Sequence, residues 1–188
     1  MKSLAKFFII LVIILYPFII FAGLSSLSIK YVSLIVILIF ILRLLILRKD
    51  SNITWKLITI VGIILAVVTI LINNITAMLL YPVFVNVSLL CIFCYSLFQE
   101  KSLITKLAIR MSKEPLPMYA IKYTWYVTFA WCIFFAINAS ISILSVIIGS
   151  IKIWTLYNGF ISYILIGSMM LIEIIIRTIV RRHFERIA

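Results

Sequence analysis

Polar and charged positions cut the chain into six long apolar runs, at about 7–24, 31–47, 57–72, 77–98, 123–148 and 154–176. Within each run apolar residues follow one another instead of alternating with period two. That pattern predicts helices, not the strands of a membrane barrel. A helix crossing the hydrocarbon core needs roughly 20 residues, and each run approaches or exceeds that length. The pattern therefore predicts six transmembrane helices. Arg43 is the one charge inside the second run, close enough to its end to snorkel toward the interface. Asn73 and Asn74 mark a tight turn between the third and fourth.

Composition strengthens this reading. Of 188 residues, 66% are hydrophobic and 12% charged, against about 45–50% and 25% in a soluble domain. A soluble enzyme, a disordered tail and a disulfide-stapled secreted domain are excluded on that ground, and the length leaves no room for a separate soluble domain. The fold class expected is all-α: one polytopic bundle over residues 1–188. The start of the chain also resembles a signal peptide, with Lys2 and Lys6, an apolar run and then Phe21-Ala22-Gly23. The run is long for that purpose and no small-x-small site follows, so an uncleaved first helix is expected. Cleavage would leave five spans.

The net charge of +12 changes the picture again. No basic run is long enough to form a nucleic-acid patch, so no nucleic-acid partner is expected. Membrane proteins gather Lys and Arg in cytoplasmic loops instead. With a cytoplasmic N-terminus, fifteen of the 17 basic residues fall inside, and only Lys30 and Lys152 fall outside. Six spans with both termini cytoplasmic satisfy that bias; an odd number would move a basic cluster outside.

The long basic loop carries its own element. Over 102–113, Leu103, Leu107 and Met111 fall at i, i+4 and i+8, flanked by Ile104 and Ala108. Lys106, Arg110 and Lys113 fall opposite. This is an amphipathic interfacial helix suited to the anionic inner leaflet. Pro115 and Pro117 end it.

Polar groups in hydrocarbon need partners. Asn86, Asn138 and Asn158 lie within the fourth, fifth and sixth runs. At 1.5 Å per residue, Asn86 sits about 13 Å and Asn158 about 6 Å in from the outer ends of their helices. Asn138 lies in the outer half of its own. All three can face one outward-side pocket, with Tyr81, Trp131, Trp154 and Tyr157 at compatible heights; the outer Trp and Tyr equally fit an ordinary interface belt. Two readings stay open: a pocket for a lipid head group or small amphiphile, and interhelical hydrogen bonds worth about 0.6–2 kcal/mol each.

Little else in the sequence suggests chemistry. Glu173 is the only carboxylate within a run, and Arg177 four residues later makes an i,i+4 ion pair the expectation. Cys91 and Cys94 form a C-x-x-C in mid-run, where buried apolar thiols are expected. Cys132 stands alone in the sequence, and His183 is the only histidine. No metal site, cofactor, phosphate loop or catalytic set is expected.

The second half carries a resemblance. It lies in YPVFVNVSLLCIFCYSLF at 81–98, a loop containing EPLP, KYTWYVTFAWCIFFAIN at 122–138 and IWTLYNGFISYILIGSMMLIE at 153–173. This resembles a small family of bacterial inner-membrane proteins encoded beside ketosynthase genes, as in aryl-polyene pigment clusters. More distantly it is similar to the intracellular septation protein A family. The resemblance covers about 80–175 and singles out Tyr81, Pro82, Asn86, Tyr123, Thr128, Trp131, Phe135, Asn138, Tyr157 and Asn158. It carries no catalytic motif. It implies a bacterial inner membrane, a role in envelope biogenesis or maintenance, and envelope or division proteins as partners. The expected function is non-enzymatic, through binding partners or a lipid or polyene intermediate. A small transporter or flippase-like subunit, and an accessory acyl or lipid transferase, are the alternatives.

Overall fold

The computed structural model describes residues 15–24, 26–46, 53–112 and 115–185. These are 88% helical and contain no strand. Three helices, Thr76–Leu97, Met118–Ile147 and Ile151–Arg182, are long and apolar enough to cross a bilayer. They mark the chain as a membrane protein. The described residues divide into two compact units, Met1–Val85 with Ala139–Ile161, and Asn86–Asn138 with Ser162–Ala188.

The first unit contains α1 (Leu15–Leu24), α2 (Ile29–Ile46), α3 (Ile53–Ile72), α4 (Thr76–Leu79) and α8 (Ile151–Leu156). Along α2, Val32, Val36, Phe40 and Arg43 recur at i, i+4, i+8 and i+11, and all four are buried. That stripe meets α3 closely: a Cβ on Gly62 would lie 2.3 Å from Phe40 Cε2. The absence of a side chain at Gly62 makes room for the phenyl ring. Asn73 ends α3 in the left-handed region (φ 52°), which asparagine tolerates better than most residues. Asn74 Oδ1 then accepts from the Thr76 amide and hydroxyl at 2.9 and 2.7 Å. The Asn-Asn turn expected from the sequence is therefore present.

The fourth run is broken at Leu80 into α4 and α5 (Tyr81–Leu97). Pro82 supplies the reason. Having no N–H, it cannot bond the Met78 carbonyl four residues back. That carbonyl accepts from the Tyr16 hydroxyl instead, at 2.9 Å. The neighbouring Leu79 carbonyl accepts from Trp154 Nε1, also at 2.9 Å. Both side chains are buried, Trp154 completely. Tyr16, Phe40 and Tyr81 pack ring to ring around this point, with centroids 4.9–6.3 Å apart.

The second unit is built from most of α5, from α6 (Leu103–Met111), from α7 (Met118–Ile147) up to Asn138, and from α9 (Ser162–Glu185). Phe93, Trp131, Phe134 and Phe135 form an aromatic cluster in it, with contacting centroids 5.1–6.3 Å apart; Phe135 is buried and the other three half-buried. A five-residue π-helical segment, Tyr157–Ile161, joins α8 to α9.

Helix boundaries depart from the apolar runs in one consistent way. α3 starts at Ile53 instead of 57, α7 at Met118 instead of 123, and α9 continues to Glu185 instead of stopping near 176. Charged residues end a hydrophobic run without ending a helix. The α7 start is set by Pro117, whose carbonyl takes the Ala120 and Ile121 amides. Residues 7–14 of the first run lie outside the described residues, as does Lys113.

Arg43 corrects the snorkelling expectation. It is 5% exposed, and its guanidinium lies beside the Tyr81 phenol within the first unit. Its place on the buried α2 stripe, one turn from Phe40, directs it into protein.

Candidate functional site

The basic loop folds as the sequence predicts, but its attachment depends on hydroxyls that the apolar spacing did not mark. Ser102 caps α6 by accepting from the Thr105 amide. Its hydroxyl also receives the Thr128 hydroxyl at 2.8 Å. Thr105 Oγ1 meets Thr124 Oγ1 at 2.8 Å. Ser96 Oγ on α5 accepts the Leu103 amide at 3.1 Å. Ser102, Thr105 and Thr128 are 0–2% exposed. These bonds tie the first turn of α6 to α5 and α7. Their energetic logic is that of buried polar groups in an apolar setting, where an unmade bond costs far more than a made one gains.

Tethered there, α6 adds its apolar face to a cleft within the second unit. Ile104, Leu107, Ala108 and Met111 line one wall of a cleft of about 450 Å³. Leu89 and Phe93 of α5 form a second wall, and Thr124, Val127, Trp131 and Phe135 of α7 a third. Met170, Glu173, Ile174 and Arg177 of α9 complete it. The volume lies in the range of about 300–1,000 Å³ found for small-molecule sites. The lining is almost wholly apolar. Its Thr124 hydroxyl is already committed to the Ala120 and Ile121 carbonyls. Charge enters at Glu173 and Arg177, paired at 3.5 Å through Arg177 Nε. Tyr123 donates to the Glu173 backbone carbonyl at 3.1 Å. The ion pair expected from the i,i+4 spacing is formed.

On the other face of α6, Lys106 and Arg110 are exposed, and Lys106 donates to Gln99. The same short helix therefore presents cations on one face and an apolar stripe on the other, and that stripe stays exposed at Leu107 and Met111.

The amides are placed in two sets. Asn138 Nδ2 donates to Asn86 Oδ1 at 2.8 Å in the second unit, both residues buried. Asn158 belongs to the first unit, on the π-helical segment. Its Oδ1 accepts from Ser142 at 2.7 Å, and its Nδ2 donates to Ser145 at 3.1 Å and to the Trp154 carbonyl at 3.0 Å. Tyr81 and Tyr157 are buried in that same unit. Trp131 lines the cleft, about 10 Å along α7 from Asn138 at 1.5 Å per residue. The structure thus brings Asn86 to Asn138, gives Asn158 serine partners, and puts Trp131 with the apolar wall.

Cys91 is exposed and Cys94 half-buried. Cys94 faces Cys132 across α5 and α7, a neighbourhood that sequence spacing did not suggest. Among the described residues no group of three or more His, Cys, Asp and Glu comes together as a metal site. No family model, curated protein or solved structure matches the chain.

Proposed function

We propose that this is a multi-pass protein of the bacterial inner membrane that holds the apolar chain of a membrane amphiphile. It has six spans and both termini in the cytoplasm. The observation carrying this reading is the cleft beside α6: about 450 Å³, almost wholly apolar in its lining, with its charged pair confined to α9. Such a site offers an acyl or polyene chain apolar packing in place of neighbouring lipid tails. The fifteen-to-two distribution of basic residues supports the orientation, with α6 on the cytoplasmic side. The resemblance over 80–175 supports a place in envelope biogenesis or maintenance, where lipid or polyene intermediates are handled and envelope or division proteins are at hand. The mechanism is retention without chemistry: α6 encloses the chain, and the head group stays at the interface.

Organic extraction of the purified protein tests this. About one amphiphile per chain should survive extensive washing, and Ala108→Phe, which fills the cleft, should lose it. Equal lipid content in wild type and variant would contradict the reading.

A further inference from the structure

Cleft shape says that a chain enters; the charges at α9 say what the chain is attached to. Arg177 is the cation of the lining, its side chain 54% exposed, while that of Glu173 is 17% exposed. Arg177 meets Glu173 through Nε, the inner edge of the guanidinium. The guanidinium has further N–H donors besides Nε. A guanidinium used in this way suits a planar or tetrahedral oxyanion. The surroundings have the same sign. The described residues of this unit include seven Lys and Arg against three Glu. Lys101, Lys106, Arg110, Arg181 and Arg182 are all exposed. Each cation near an anionic leaflet adds to attraction for its lipids.

We infer that the cleft takes one acyl chain of an anionic phospholipid from the adjoining leaflet, with the phosphate held by Arg177. This rests on the amphiphile reading above and names its ligand class. Two observations favour phospholipid as the source. The cleft volume of about 450 Å³ suits a single apolar chain. The exposed basic residues near and along α6 and α9 give the elements around the cleft an excess of positive charge, which favours the phosphate of an anionic leaflet. Glu173 keeps the Arg177 side chain aimed along α9 and lowers its net charge.

Trp131 in the cleft wall provides the readout. Full-length protein is placed in phosphatidylcholine vesicles, and bromine is introduced on the chains of either phosphatidylglycerol or phosphatidylcholine. The Trp131 signal is the difference between the wild type and Trp131→Phe. Brominated phosphatidylglycerol should quench that signal at about fivefold lower mole fraction than brominated phosphatidylcholine. Arg177→Gln should erase the preference while leaving quenching itself intact. Equal quenching by the two lipids in the wild type would overturn the anionic assignment and leave the chain-holding reading standing. A brominated fatty acid quenching at lower mole fraction than phosphatidylglycerol would overturn the phospholipid source. Quenching of exposed Trp125 but not of Trp131 by all three would overturn both the ligand class and the cleft as a chain site.

Discussion

Asn138 donates its amide to Asn86 across two helices, and each residue is buried. Asn138→Leu should lower stability in detergent by about 1–2 kcal/mol. The double variant with Asn86→Leu should lose clearly less than the sum of the two single losses. Strict additivity in denaturant titrations would mean that the pair is not a pair. A second cycle is available around Pro82. Tyr16 donates to the Met78 carbonyl that proline leaves without its helical partner. Tyr16→Phe should therefore cost about 1 kcal/mol in the native sequence. In a Pro82→Ala background the restored amide supplies that carbonyl, and the same substitution should cost appreciably less. An identical cost in both backgrounds would detach the tyrosine from the proline.

Helix α6 is an element with one tied end and one apolar face. Thr105→Val with Thr128→Val removes the Thr124 and Ser102 contacts while keeping side-chain volume. Hydrogen exchange of the α6 amides should speed up by at least about tenfold, since the two hydroxyl bonds that join the start of α6 to α7, at about 1 kcal/mol each, are among those lost. Unchanged protection would show that α6 is held by its apolar contacts alone. The element itself was legible in the sequence: Leu103, Leu107 and Met111 repeat with helical period, and the prolines mark its end. Its anchoring was not, because Ser102, Thr105 and Thr128 are individually ordinary residues whose meaning appears only when they converge. The same holds for the boundaries. Lys56 and Lys122 lie inside helices because a charge ends a hydrophobic run without ending a helix, whereas Pro117 sets where α7 begins. The Asn-Asn turn was readable because its backbone and side-chain chemistry is local. Arg43 was misread because its burial depends on Tyr81, distant in sequence. The pairing of Asn138 with Asn86 depends on register between helices, which no single run encodes.

At the scale of the whole molecule, the account requires the loops carrying Lys30, Asn74 and Lys152 to face away from the basic clusters. Reporter fusions after each should all read periplasmic, and two reading cytoplasmic would contradict six spans with both ends inside. The same orientation puts α6 and its cleft at the cytoplasmic leaflet, within reach of the lipid that the cleft is proposed to hold.

That occupancy is the central claim, and photo-crosslinking of the full-length protein in membranes tests it most directly. A phospholipid carrying a diazirine in mid-chain is activated, and the adducts are mapped by peptide. The account predicts adducts concentrated on Ile104–Met111, around Trp131, and on Met170–Ile174, lost on Ala108→Phe. Adducts spread over the exposed faces of all the long helices, unchanged by that substitution, would contradict it.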